Sequence, residues 1–153
     1  MQFTDQHVHA GMVRVMRTLL SSLWPIFLAD LGVHVLGILF VQDRLPPVAT
    51  SPVGWLLQIL AFALVILAAY RASALAGTIS FGIVAVGIYW FLWKPLMFAV
   101  TGALAFILGY LDWAVVSQAA IGAAVALLLF SPVALLLAIG GAYFGRRQKT
   151  AAE

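Results

Sequence analysis

The sequence predicts an all-α integral membrane protein, a polytopic helical bundle of about five transmembrane segments with no soluble domain. Hydrophobic residues make up 65% of the 153-residue chain and charged residues 8%, whereas soluble domains have about 45–50% and about 25%. The apolar residues form continuous runs close to the roughly 20 residues that a spanning helix needs. Alternating segments of about ten residues, typical of membrane barrels, are not seen. A single transmembrane helical domain, residues 1–153, is therefore predicted.

Residues 1–21 are predicted to form an N-terminal tail and a possible interfacial helix. The first ten residues are largely polar and include His7 and His9. Two imidazoles are fewer than the four ligands of a structural zinc site, so a solvated tail is expected there. An apolar stripe at helical spacing follows: Val8, Met12, Val15, Leu19 and Leu23. This stripe fits a helix lying in the membrane interface, or equally a solvent-side extension of the first span.

The first span, residues 22–41, carries the strongest chemical signal, Asp30 and His34. A charge near the middle of a bilayer costs about 2.5–3.5 kcal/mol on insertion scales, so ionisable residues there usually mark function or a partner. Residues four apart lie on one face of a helix. The pair therefore predicts either a proton- or cation-binding site or a structural hydrogen bond to another helix or subunit. Gly37 on the same face permits close helix approach, so we expect this face to be buried against protein.

Prolines and interfacial residues divide the middle of the chain. Residues 42–52 contain three prolines and an Asp-Arg pair and are expected to form a loop. The second span covers residues 53–70 and the third covers residues 79–93. The end of the third span is predicted at Lys94 and Pro95. Aromatic and basic residues anchor helices at the membrane interface, and the residue before a proline disfavours helix.

Two features leave the number of spans open. Residues 96–111 are short for a full crossing, and a re-entrant segment there gives four spans. Residues 114–144 are longer than one span requires and contain Pro132. They fit one kinked helix, for a total of five spans, or two half-helices, for a total of six.

The chain ends in a basic tail, residues 145–153, in which Arg146, Arg147 and Lys149 are predicted topology anchors. Cytoplasmic loops carry an excess of Lys and Arg. With five spans and a cytoplasmic C-terminus, five basic residues fall inside and three outside; with an even number, six fall inside and two outside. Both arrangements place the C-terminus in the cytoplasm. We expect a multi-pass protein of a bacterial inner membrane.

Small residues mark a possible packing face on the last segment. Ala119 and Ala123 form one pair spaced four apart, and Gly122 and Ala126 form another. Such pairs let helix backbones approach closely. We expect them to pack within the monomer or against a partner, which is another membrane subunit or a second copy of the chain in a homo-oligomer.

Catalytic chemistry has little basis in this sequence. Cysteine is absent, which removes disulfides, thiol chemistry and thiolate metal sites. Motifs for metal-assisted hydrolysis, acyl transfer or phosphate binding are not present. The sequence therefore predicts no enzyme, no metal and no cofactor. The net charge of +3 is small and its basic residues lie at segment ends, so membrane lipids and not nucleic acid are the expected surroundings.

Two functions fit these observations. The short segments outside the predicted spans and the helix faces of small residues favour a non-enzymatic integral membrane subunit that packs against or scaffolds a larger membrane complex. The alternative is a small homo-oligomeric proton- or cation-coupled transporter that uses Asp30 and His34. Of the two, the sequence favours the subunit.

Overall fold

The computed structural model describes the backbone of residues 2–41 and 52–152 and the side chains of residues 11–37, 52 and 55–151. Regular structure in these ranges is entirely helical: α1 (Gln2–Val41), α2 (Pro52–Ala76), α3 (Ile79–Ile88), a π-helical turn (Tyr89–Trp93), α4 (Lys94–Ile107) and α5 (Trp113–Ala152). The predicted loop 42–52, apart from Pro52, and the side chains of His7 and His9 lie outside the described residues.

Four helical stretches of the described chain are long and apolar enough to cross a membrane: Gly11–Gly37, Trp55–Ala76, Ile79–Ile107 and Trp113–Ala151. Four long apolar helices fit a membrane-embedded protein. The expected count of about five is not confirmed. Four is one of the counts that the sequence left open.

The predicted boundary at Lys94 and Pro95 is wrong, because the helix continues through both residues. α3, the π-helical turn and α4 form one helical stretch, Ile79–Ile107, which joins the predicted third and fourth segments. Pro95 has no backbone N–H, and its ring displaces the carbonyl four residues earlier, which usually kinks a helix. Here the turn before Pro95 widens instead. The backbone N–H of Lys94 donates to the carbonyl of Tyr89, five residues earlier. This π-helical turn accommodates Pro95 without ending the helix.

Two further prolines lie inside helices. α1 is continuous through Pro25, and α5 is continuous through Pro132. α5 is therefore one 40-residue helix and not a pair of half-helices. Residues 2–21 belong to the same helix as the first span.

Small residues pack the helices closely at the end of the bundle that carries the C-terminus, which we call the closed half. It comprises the second half of α2, the start of α3 and the second half of α5. A Cβ added to Gly141 would stand 2.6 Å from the carbonyl oxygen of Ile66, and one added to Gly82 would stand 2.7 Å from that of Ala69. Close backbone approach of this kind supplies the van der Waals contact that holds membrane helices together. The buried residues of this half are mainly alanine: Ala68, Ala69, Ala72, Ala85, Ala134, Ala138 and Ala142.

The opposite end of the bundle, which we call the open half, is loosely packed. It comprises the end of α1, the start of α2, α4 and the start of α5. Between Trp113 and Ser131, only Val116 of α5 is buried. A cavity of about 790 Å³ lies between the helices of this half. The two halves of the bundle therefore differ in how closely the same four helical stretches approach one another.

Candidate functional site

Asp30 is fully buried and forms an ion pair with Lys94 of α4. The relative exposure of Asp30 is 0% and that of Lys94 is 4%. The Nζ of Lys94 lies 2.5 Å from the Oδ1 of Asp30. Asp30 is buried against protein, as expected, whereas His34 and Gly37 of the same helix face are only half-buried. Because an isolated charge among apolar helices is strongly unfavourable, each residue supplies the counter-charge that the other requires.

The π-helical turn supplies two more donors to the same carboxylate. The Tyr89 hydroxyl donates to Oδ1 of Asp30 at 2.9 Å, and Nε1 of Trp93 donates to Oδ2 at 3.0 Å. In an α-helix, residues five apart are rotated by about 140° from each other and face different directions. The hydrogen bonds of a π turn join residues five apart and bring them closer to alignment. The widened turn thereby lets Tyr89 and Lys94 reach one carboxylate.

His34 is a neighbour of the ion pair. Its Nδ1 donates to the backbone carbonyl of Asp30 at 2.9 Å and lies 3.6 Å from Oδ2 of the same residue. Because a carbonyl oxygen only accepts, this hydrogen bond places a proton on Nδ1. The ring also packs edge-on against Phe98, with 5.4 Å between the ring centroids. Asp30 and His34 do come together, as predicted, but Lys94 is the main partner of the carboxylate.

The ion pair lies near the middle of the third span. Fifteen residues of Ile79–Ile107 precede Lys94 and thirteen follow it. At about 1.5 Å per residue, this helix is longer than a hydrocarbon core of about 30 Å. In a helix that spans a bilayer, the middle is the depth at which an unpaired charge is least favourable.

The cavity of the open half reaches this ion pair. Its walls come from α1, α2, α4 and α5 and are mostly apolar, while His34, Gln58 and Lys94 contribute polar groups. Gln58 and Lys94 also line a second cavity of about 60 Å³, which extends toward Trp90 and Phe130. The ion pair is thus built into the wall of the cavity.

Packed side chains lie on the other side of the ion pair, toward the closed half. Leu23, Ile26, Val65 and Ala68 are at most 2% exposed. Arg71 lies further along, where its Nε donates to the carbonyl of Ser22 at 3.4 Å. The cavity therefore meets close packing at about the depth of the ion pair.

The predicted small-residue positions lie around the cavities and not in the closed half. Gly37 and Ala119 line the larger cavity, and Ala123 and Ala126 line the smaller one. Gly122 is exposed, and an added Cβ there would meet no atom within 4 Å. Packing of these residues against a partner stays a prediction.

The predicted topology anchors lie at the end of α5. Arg146 and Arg147 are exposed, and Nζ of Lys149 donates to the carbonyl of Leu75 at 3.5 Å. The Tyr70 hydroxyl donates to the side-chain oxygen of Gln148. The end of α5 is thus tied to the end of α2, and the basic residues of both helices lie at the same end of the bundle.

Lys94, Tyr89 and Trp93 are site residues that the sequence pattern did not predict. Lys94 and the tryptophan before it match the residues common at a membrane interface, and they were expected there. One signal was available: 22 uncharged residues, 72–93, precede Lys94 and 17, residues 95–111, follow it. If residues 79–111 are treated as one span, Lys94 stands at its middle and requires a counter-charge, and Asp30 is the carboxylate inside another span.

Among the described residues, no group of three or more His, Cys, Asp or Glu side chains is placed to hold a metal ion. No family model matches the chain, nor does any curated protein or solved structure. The geometry of the site is therefore the basis for its function.

Proposed function

We propose that the chain is a four-span membrane transporter in which the Asp30–Lys94 ion pair couples solute movement to proton movement. The observation that carries this proposal is the cavity of about 790 Å³ that reaches Lys94 from the open half and meets close packing beyond the ion pair. A site near the bilayer midplane that is reached from one side is the arrangement of one state in an alternating-access cycle. The volume lies within the range of about 300–1,000 Å³ typical of small-molecule sites.

The charges of the site favour a proton over a metal cation as the coupling ion. The Lys94 ammonium already lies 2.5 Å from Oδ1 of Asp30, so a metal cation on this carboxylate would meet a positive charge at contact distance. A proton on Asp30 neutralises the carboxylate and weakens its attraction to Lys94 without adding a second ion. Proton coupling also uses the residues that are present, whereas a cation site needs further oxygen ligands.

Basic residues support an orientation with both ends of the chain in the cytoplasm of a bacterial cell. With four spans, one end of the bundle carries Arg14, Arg17, Arg71, Arg146, Arg147 and Lys149. Lys94 no longer counts as a loop residue, because it is buried in the ion pair. The positive-inside rule then places the closed half toward the cytoplasm. A reporter fused after Glu153 is expected to behave as cytoplasmic, and periplasmic activity would reverse the orientation.

Proteoliposomes with an internal pH dye test the transport proposal. Outward gradients of three naphthalene derivatives, bearing a sulfonate, a trimethylammonium or a carboxamide group, cover three charge classes of amphipathic solute. We expect at least one gradient to drive proton movement in vesicles with the wild-type protein. Asp30→Asn should abolish that movement, and Asp112→Asn, which changes an exposed carboxylate outside the site, should retain it. If none of the three gradients moves protons beyond protein-free vesicles, the transport proposal fails.

A membrane subunit is the second candidate function. The observation that favours it is the first half of α5, where Ala119 and Gly122 are exposed on a helix with little contact to the rest of the chain. Small residues on an exposed helix face fit a partner helix from another subunit. Purification in mild detergent distinguishes the candidates: a stable isolated chain with no co-purifying protein counts against the subunit.

A further inference from the structure

We infer that the transported solute is an amphipathic organic monoanion, which binds the Lys94 ammonium while Asp30 takes up one proton. This inference rests on the proposed function for its site, and it adds the chemical class of the solute and the stoichiometry. Three observations carry it: the free donors of Lys94, the electrical neutrality of the site and the apolar cavity walls.

Lys94 has donor capacity left after it binds Asp30. An ammonium has three N–H donors, and among the described residues its only hydrogen bond is the one to Oδ1 of Asp30. The Nζ also lies 5.5 Å from the centre of the Tyr89 ring. The side chain is 6% exposed and lines both cavities. A buried cation beside a cavity is suited to bind an anionic group.

Gln58 adds a second polar group at the same place. It lines both cavities together with Lys94, and its side chain forms no hydrogen bond within the described residues. Its amide has two N–H donors. An oxyanion between α2 and α4 would therefore meet two donor groups, one of them charged.

The site is neutral before a solute enters, and neutrality near the membrane midplane is strongly favoured. An anion alone would leave the site with one negative charge. If a proton binds Asp30 together with the anion, the site stays neutral. In this step the carboxylate takes one proton from the cavity side, and Lys94 exchanges its bond to Oδ1 for a bond to the anion. No other atom is transferred.

Asp30 is the proton acceptor of the site because the groups around it act as hydrogen-bond donors. Tyr89, Trp93 and Lys94 all donate to its carboxylate, and His34 donates to its backbone carbonyl. At this depth α2 presents the uncharged Gln58, and the described part of α5 has its charged residues only toward its C-terminal end. Among the described residues near the pair, His34 is the one other group that can gain a proton.

The walls of the cavity specify the rest of the solute. They are mostly apolar and border an open cavity of about 790 Å³, so an apolar body of aromatic or acyl type fits between the helices. The anionic group can belong to a free solute or to a membrane lipid. The shared chemistry is one negative charge on an apolar body.

Isothermal titration calorimetry tests this inference with naphthalene-2-sulfonate as the probe. The sulfonate stays ionised near neutral pH, so any proton taken up on binding must go to the protein. Purified protein in phosphatidylcholine nanodiscs is titrated in two buffers that differ in ionisation enthalpy. We expect uptake of about one proton per bound probe, by proton linkage. Binding without proton uptake would overturn the inference.

Two variants test which residue takes up the proton and which residue binds the anion. Asp30→Asn should bind the probe with no proton uptake, because Lys94 is already free of its carboxylate. Asp30→Asn combined with Lys94→Met should lose at least about tenfold in affinity, the effect of one charge-assisted hydrogen bond. Proton uptake that persists in Asp30→Asn would move the acceptor to His34 and overturn the assignment. Wild-type affinity in the double variant would exclude Lys94 as the anion site.

Two further comparisons complete the test. The neutral naphthalene-2-carboxamide should bind at least about tenfold more weakly than the sulfonate, and equal binding would overturn the inference. Loss of sulfonate binding in phosphatidylglycerol nanodiscs would support the anion site and assign its occupant to the lipid headgroup; unchanged binding would support a free solute. Binding with proton uptake but no flux in proteoliposomes would refute the transport proposal and leave the anion site standing. Proton flux driven by the cationic derivative would refute the inference that the solute is an anion and leave the transport proposal standing.

Discussion

The closed and open halves of the bundle use similar small residues in different ways. Gly141 of the closed half faces the backbone of α2, and an added Cβ would stand 2.6 Å from the carbonyl oxygen of Ile66. Gly37 of the open half faces a side chain, and an added Cβ would stand 3.9 Å from Leu57 Cδ1, an ordinary contact. The difference shows that a small residue in a membrane helix can serve close packing or leave space.

The ion pair lies where the two halves meet. Close packing on one side of the ion pair leaves no space for a solute, and the cavity on the other side gives access to Lys94. A transporter needs both properties, since one side must be closed while the other is open.

The largest effect is expected at the boundary. Lys94→Met leaves the buried Asp30 carboxylate without its counter-charge, which typically destabilises by about 3–5 kcal/mol. Adding Asp30→Asn should restore much of the loss, because the buried charge is removed as well. Unfolding by sodium dodecyl sulfate in mixed micelles measures both variants. Arg147→Met, at an exposed position near the end of α5, is the control and should stay near wild type; an equal loss there would mean that the ion pair contributes no more to stability than an exposed cation does.

The next effect distinguishes close packing from open space within one helix. Gly141→Ala should force α2 and α5 apart and destabilise by about 1–3 kcal/mol, as overpacking does. Gly140→Ala is the control, because an added Cβ there meets nothing within 4 Å and the helix propensity changes equally. Gly122→Ala, in the first half of α5, should likewise be tolerated. The same unfolding assay measures these variants. Equal stability of Gly141→Ala and Gly140→Ala would contradict the close packing of the closed half.

Much of the fold could be predicted from composition, and the path of the third span could not. Continuous apolar runs predict a helical membrane protein, because lipid allows only helices and closed barrels, and the alternating segments of a barrel are not seen. The end placed at Lys94 was wrong because a lysine beside tryptophans and a proline is typical of an interface. Local sequence does not reveal that a carboxylate 64 positions away neutralises this lysine, or that a π turn accommodates Pro95.

Part of the site could also be predicted from the sequence. Asp30 and His34 could be identified as candidate site residues because ionisable residues are rare inside apolar runs. The small-residue pairs of α5 were also visible, but whether such a pair packs or lines a cavity depends on the facing helix. Gly141 meets a backbone, whereas Ala123 faces a cavity, and this distinction is tertiary.

The smallest effect concerns single hydrogen bonds at the boundary. Tyr89→Phe removes one donor from Asp30 and leaves the ion pair, so it should destabilise by about 0.6 kcal/mol and at most about 1.7 kcal/mol, the range for hydrogen bonds within membranes. Tyr143→Phe, at an exposed position of α5, should have no effect. A loss at Tyr89 as large as that of Lys94→Met would mean that the hydroxyl, and not the ion pair, is the main support of the carboxylate.

The central claim is that water reaches the depth of the ion pair through the open half and not through the closed half. The chain has no cysteine, so single cysteines can be placed without further changes. Ala61→Cys lies on α2 beside Lys94 in both cavities, and Ala138→Cys lies in the closed half at 0% exposure. In right-side-out membrane vesicles, a charged, membrane-impermeant maleimide should label Ala61→Cys and leave Ala138→Cys unlabelled. Both should react after denaturation. An Ala61→Cys that is unreactive in the folded protein in both right-side-out and inside-out vesicles would contradict the account, because the ion pair would then be sealed from both sides.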